Sequence, residues 1–155
     1  MKRILVLPVV LLAAYCGSSS GPASVSRPGH GAITIAVVPN PIAAQKMSGD
    51  MYRFPFDVII RETGNHPVSI TRVSADVRAI AGIKVASESY DAAKINSLGF
   101  STTVGPNAEI RYHFAPEKSV PDDRLFGNVT ADLTVDGVDD SGTPTTGRTS
   151  VTVTR

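Results

Sequence analysis

Phe54-Pro55-Phe56-Asp57-Val58-Ile59-Ile60-Arg61-Glu62-Thr63-Gly64-Asn65-His66-Pro67-Val68-Ser69-Ile70-Thr71 is the stretch that decides the fold. Phe54, Phe56, Val58 and Ile60 alternate with Pro55, Asp57, Ile59 and Arg61, the period of a strand with one buried face. Gly64, Asn65 and Pro67 then mark a turn, and a second β-rich run begins at Val68. A strand, a bend and a second strand form the centre of a β-sandwich.

The neighbouring runs extend this pattern. Ala32 to Pro39 reads as a first strand, closed by Pro39 and Pro41, and the central strand is expected from Tyr52 to Glu62. Pro55 lacks an amide donor and belongs near a strand start or an edge. From Val68 to Ile80 the apolar phase changes once, between Ile70 and Val73. Either a β-bulge near Thr71-Arg72 restores one buried face, or the strand changes sheets there. Gly82 turns the chain towards a short strand at Ile83 to Ala86. Ser89 to Gly99 is the least β-like stretch. Its acidic start at Asp91 and its terminal Gly99 suit one turn of helix, with Ile95 and Leu98 packing inward. Ala108 to Phe114, Val129 to Val135 and Thr149 to Val153 alternate again, and Asp139 to Pro144 turns the chain between the last two. About seven strands with turn signals between them make an all-β, antiparallel sandwich.

Composition narrows the function classes. At 155 residues, one domain is expected. Without Lys2 and Arg3 of the leader, 13 basic and 14 acidic side chains remain. A near-neutral domain has no basic stripe for phosphates, which argues against nucleic acid as a partner. Tryptophan is absent, which argues against a sugar-stacking platform. Cys16, the single cysteine, has no internal disulfide partner, so the apolar core must hold the domain together.

The N-terminal end has a separate logic. Met1-Lys2-Arg3 is a positive head, and Ile4 to Ala14 is an apolar run of eleven residues. A membrane-spanning helix needs about 20, so this run matches the core of a secretory signal. Leu11-Leu12-Ala13-Ala14-Tyr15-Cys16-Gly17-Ser18-Ser19-Ser20 resembles the end of a bacterial lipoprotein signal. Ala13 and Tyr15 stand where that pattern usually has Leu and a small residue. The resemblance implies lipidation at Cys16, a membrane partner through the N-terminal lipid, and a place in the bacterial cell envelope. Cleavage near Ala14 would instead give a secreted protein. Expected boundaries are 1–15 for the signal peptide, 16–31 for a flexible Gly/Ser/Pro-rich tether, and 32–155 for the domain.

From Ala32 to Arg155 the chain resembles bacterial extracytoplasmic immunoglobulin-like domains. The resemblance rests on Ile59-Ile60-Arg61-Glu62-Thr63-Gly64 before the Val68-x-Ile70-Thr71 strand, on Tyr90-Asp91 to Gly99 before the strand at Ala108, and on the hairpin through Asp139-Asp140-Ser141-Gly142. The Cys–Trp–Cys pattern of antibody domains is absent. What the resemblance implies is a fold rather than a partner.

Catalytic patterns are missing from the sequence. His30, His66 and His113 fit no zinc spacing, and there is no Gly-x-Ser-x-Gly, phosphate loop or dinucleotide glycine pattern. No cofactor is expected. Asp136, Asp139 and Asp140 are the first candidates for calcium, although Asp is also an ordinary turn former. The outward Asp57, Ile59 and Arg61 of the central strand are open to an interaction reading. These features lead to a non-enzymatic, envelope-anchored structural or protein-interaction module. The alternative is an extracytoplasmic module that binds calcium or carbohydrate.

Overall fold

The computed structural model describes residues 29–79, 82–122, 124, 126 and 129–155. The leader, Cys16 and the tether up to residue 28 lie outside the described residues. Seven strands have six or more residues: β1 (Ile33–Val38), β5 (Phe56–Glu62), β6 (Val68–Arg78), β7 (Lys84–Asp91), β9 (Glu109–Phe114), β11 (Val129–Asp139) and β12 (Pro144–Thr154). Short strands complete the set: β2 (Ile42–Ala43), β3 (Gln45–Lys46), β4 (Met51–Arg53), β8 (Thr103–Val104) and β10 (Glu117–Ser119). One helix, α1, spans Ala92–Ser97.

The strands form an immunoglobulin-like sandwich whose pairs are antiparallel apart from β2, which runs parallel to β12. One sheet has the order β1-β5-β9, and the facing sheet has the order β2-β12-β11-β6-β7, with β8 beside β6. Ile33, Val37, Val58, Ile60 and Tyr112 from the first sheet share one core with Val68, Ile70, Val73, Leu133, Val135 and Val151 from the second. Strand alternation produces this core, because every second side chain of each strand points at the opposite sheet.

The phase change in β6 is a bulge. Arg72 pairs with Asp136 and Ile70 with Gly137, so Thr71 is the extra residue and both Ile70 and Val73 face inward. Thr71 turns outward, and its hydroxyl donates to the Asp136 carbonyl at 3.2 Å. On its other edge β6 pairs first with β8, at Val68 and Ser69, and then with β7 from Arg72 onward. The bulge therefore lies where β6 changes neighbours.

Three expectations need correction. The central strand does not run unbroken from Tyr52: Pro55 separates β4 from β5, and β4 joins a small sheet of order β10-β4-β3. Phe54 N–H bonds the Pro116 carbonyl at 3.0 Å, outside both ladders, because the following proline has no donor to continue one. The strand after Gly82 extends to Asp91, taking in Ser89 and Tyr90. Asp91 then caps α1 through its side chain, which accepts from Lys94 N–H. Ile95 is buried as expected, but Leu98 is 44% exposed. Leu98 is the C-cap of α1, its N–H still bonded to the Lys94 and Ile95 carbonyls, but this six-residue helix buries Ile95 alone.

Candidate functional site

Polar chemistry concentrates where β1 enters the sandwich. The entry passes between the β5–β6 bend and the β11–β12 hairpin, and two buried carboxylates hold it. Glu62, 1% exposed, ends β5 on the same inward parity as Phe56, Val58 and Ile60. Its Oε1 accepts from Ala32 N–H at 3.2 Å and Gly64 N–H at 2.5 Å. Its Oε2 accepts from Asn65 N–H at 3.0 Å and Asn107 N–H at 2.8 Å. Asn65 and Asn107 both sit in the left-handed region, with φ of 64° and 53°. Asparagine tolerates that region, and successive turn amides can then converge on an anion. Here the anion is the protein's own glutamate. The two asparagine side chains also bond each other at 2.7 Å.

Asp139, 5% exposed, does the same work from the other sheet. Its Oδ1 accepts from Ser141 N–H at 2.9 Å, the Ser141 hydroxyl at 2.6 Å and Thr143 N–H at 2.8 Å, which closes the hairpin turn. Its Oδ2 accepts from Gly31 N–H at 2.9 Å. His30 Nδ1 lies 3.1 Å from Thr143 Oγ1 and 3.5 Å from the same Oδ2. Packing therefore already includes His30 and Gly31, two residues whose composition places them in the tether.

The electrostatics follow from these donors. The Ser141 hydroxyl, with the amides of Gly31, Thr143 and Ser141, holds the Asp139 carboxyl far below its ordinary value against the opposing effect of burial. Burial pushes Glu62 up, but the amides of Asn107, Ala32 and Gly64 outweigh it and keep the group below its ordinary 4.5. A carboxyl with a depressed folded-state pKa stabilises the protein in full above its unfolded value. Stability is therefore expected to be level above the ordinary values of 4.5 and 3.8 and to fall as pH drops below them. Urea midpoints across this range test it; a midpoint unchanged down to about pH 3 would contradict it.

The calcium candidates do not meet in one place. Asp136 lies on the outward parity of β11, where its Oδ2 takes Arg72 Nε at 3.0 Å and Nη2 at 2.6 Å and its Oδ1 takes Thr146 Oγ1 at 2.9 Å. Asp139 points inward and is filled by N–H and O–H donors. Asp140 Oδ1 is 3.2 Å from His66 Nδ1. Among the described residues, no three His, Cys, Asp or Glu side chains gather as a metal site. Adding calcium, with magnesium as control, is expected to leave the melting temperature unchanged; a calcium-specific rise would return these carboxylates to a metal role.

The outward face of β5 carries an ion-pair ladder. Asp57 bonds His113 Nδ1 at 2.7 Å and Arg111 Nη1 at 2.9 Å, and Arg61 Nη2 bonds Glu109 at 2.8 Å. Ile59 lies half-buried between these pairs, opposite Ala36 on β1 and Arg111 on β9. Its neighbours thus account for part of its burial.

A second open feature is β7. It ends the larger sheet, and seven of its eight residues are exposed. Val85 is an extra residue in its register with β6, and Ile83 and Val85 are 64% and 58% exposed. Lys84 bonds Asp76 at 2.7 Å, and Glu88 accepts from Lys118 at 2.9 Å. The facing sheet reaches β7 at Tyr90, whose ring lies 6.1 Å from that of Phe114 on β9, while the inward-parity Ala86 and Glu88 are exposed.

Sequence reading missed Glu62 and placed only the first part of β7, for different reasons. Glu62 had a signal: a charged residue at the fifth position of the inward series Phe54, Phe56, Val58, Ile60. An acid on an apolar parity just before Thr-Gly-Asn marks a carboxylate that caps turn amides. By contrast, Lys84-Val85-Ala86-Ser87-Glu88-Ser89 has no apolar alternation, because neither of its faces is covered.

Comparison with known proteins agrees at the level of fold. No protein-family model matches the chain, and no curated protein matches it. The X-ray structure of the Northeast Structural Genomics Consortium target SoR45 superposes with a TM-score of 0.53 at 11% identity, covering 82% of this chain and 89% of that one. A Bordetella pertussis protein described as ApaA also superposes with a TM-score of 0.53, at 14% identity over 83% of this chain and 99% of that one. A CARDB domain from Pyrococcus furiosus reaches 0.40 at 13% identity, over 81% and 96%. At these identities the first two likenesses are of fold alone.

Proposed function

We propose that this chain is a non-enzymatic bacterial envelope protein, lipidated at Cys16, whose immunoglobulin-like domain is displayed beyond the membrane to meet a protein partner. The observation that carries the reading is β7, an eight-residue edge strand with seven exposed residues. An added strand gains main-chain hydrogen bonds along an edge and needs no preformed pocket, so edge addition suits a sandwich of this kind. The anchor part rests on the apolar leader and the lone cysteine before Gly17-Ser18-Ser19-Ser20. His30, His66, His113, Glu62, Asp136 and Asp139 all have partners within the domain, which favours scaffold over catalysis.

Two measurements test the two parts separately. Mass spectrometry of the membrane fraction is expected to find an acylated N-terminal Cys16, and Cys16→Ala to release the protein; an unmodified N-terminus with unchanged retention would refute the anchor. A photo-crosslinker at Ser89 in intact cells is expected to yield one discrete adduct, while the same group at Thr152, away from the edge, yields none. Equal labelling at both positions, or at neither, would remove β7 as the docking edge.

A further inference from the structure

The two ends of the sandwich are mechanically unequal. β1 runs from Ile33, beside the hairpin, to Val38 at the far end, paired with β5 throughout from Ile33↔Glu62 to Val38↔Asp57. β12 starts at the same hairpin with Pro144 and runs away from it to Thr154, where Val153 and Thr154 pair with Ile42 and Ala43 of β2. At about 3.3 Å per residue, the eleven residues of β12 separate the two ends by roughly 35 Å. Force delivered through the chain before Gly31 and opposed at the far end therefore acts along the strands.

The first contacts such a force meets are those of the entry. Gly31 N–H is held by Asp139 of one sheet and Ala32 N–H by Glu62 of the other. The Ala32 carbonyl accepts from Thr63 N–H at 2.8 Å. Neither amide can slip sideways. A side chain at residue 31 would press on Val68 Cγ2 at 2.7 Å and Asp139 Cβ at 2.8 Å, so the backbone is already seated as closely as atoms permit. Behind the entry, the six register pairs of β1 and β5 are loaded together rather than one after another, because the pull is parallel to the strands.

We infer that this entry is a mechanical lock: the paired carboxylates Glu62 and Asp139 make the domain resist tension arriving through its N-terminal side. The proposed envelope anchor supplies only the origin of that tension. The lock itself follows from the direction of β1 and the three hydrogen bonds that grip residues 31 and 32. Its chemistry suits the task, since hydrogen bonds to a buried ionised acceptor are stronger than neutral ones and have no water ready to replace them.

The test is single-molecule extension of the full chain, held by its two ends at constant force, which needs neither lipid nor partner. A failure here therefore leaves the anchor and the β7 edge to their own tests. Asp139→Asn keeps the size of the side chain but turns an amide donor towards Gly31 N–H or the hairpin donors. Val153→Ala is the comparison, because it weakens the core at the far end. At matched urea midpoints, Asp139→Asn is expected to unfold about ten-fold faster than wild type under load, while Val153→Ala stays close to wild type. If Asp139→Asn does not fold, Thr143→Ala, which removes the hydroxyl contacts to His30 and Ser141 but keeps the Thr143 N–H bond to Asp139, is expected to shift in the same direction by a smaller factor. Equal acceleration in the entry and far-end variants, or none in the entry variants, would overturn the lock.

Discussion

Glu62→Ala is expected to be among the most damaging single substitutions in this domain, lowering the unfolding free energy by about 3–5 kcal/mol. Four backbone amides, those of Ala32, Gly64, Asn65 and Asn107, lose their acceptor together. They sit in a part-buried junction around a buried carboxylate, and a donor left there without its acceptor loses a charge-assisted bond that solvent only partly replaces. Shortening a side chain that is 1% exposed also leaves a void. Glu62→Gln is expected to fall between wild type and alanine, since one amide oxygen still accepts while its NH2 group confronts two N–H donors. Urea unfolding at neutral pH measures both. A loss below about 1 kcal/mol for alanine would mean that water replaces the carboxylate and that the junction is open. In Glu62→Gln, the part of the acid-range stability loss contributed by Glu62 should also disappear, because the group that titrates is gone.

Gly64→Ala follows as the second large effect, through sterics rather than charge. A Cβ at residue 64 would overlap the His30 carbonyl oxygen and come within 2.8 Å of Ala32 N. Both are backbone atoms, so no side-chain rotation relieves the clash. Either the entry segment lifts off or the β5–β6 bend opens, at a cost of about 2–4 kcal/mol. Gly105→Ala is the control: its new methyl would meet only Ala108 Cβ at 3.7 Å, an ordinary contact. It is expected to change stability by less than about 0.5 kcal/mol. Equal midpoints for the two variants would show that the entry is not packed against Gly64. Hydrogen exchange adds a spatial check, since Gly64→Ala should raise exchange at Ile33 to Val38 before it does so in β11 or β12.

Some of this was written plainly in the chain. The alternation of Phe56, Val58 and Ile60 and of Val129 to Val135 places strands because a covered sheet requires apolar side chains at every second position. The single phase change between Ile70 and Val73 marks the irregularity for the same reason, and the register with β11 then decides that it is a bulge at Thr71 rather than a change of sheet. Asp91 and Gly99 bracket a helix because capping is local chemistry. Where the apolar pattern ended, legibility ended too. β11 and β12 continue to Asp139 and from Pro144, but their buried inward positions there are Gly137, Asp139 and Gly147, which carry no apolar side chain for the pattern to show. Leu98 shows the opposite limit: its i+3 spacing from Ile95 does not bury it, because the six-residue α1 seats only Ile95 in the core.

By itself, the sequence determined an all-β antiparallel sandwich, the place of the phase change in β6, the short helix and the nature of the hairpin turn, each read from residues close together in the chain. Only the tertiary structure decided what Glu62 and Asp139 do. Their donors come from residues 31 and 32 and from Asn107, up to 108 positions away in the chain, and no local pattern encodes such a meeting. It likewise decided that β7 is an edge, because that depends on where β7 falls in the order β2-β12-β11-β6-β7. The stretch from Phe54 to Thr71 therefore holds both kinds of information: its alternation names the strand, and the acid that interrupts the alternation acquires its meaning only when the first strand folds back onto it.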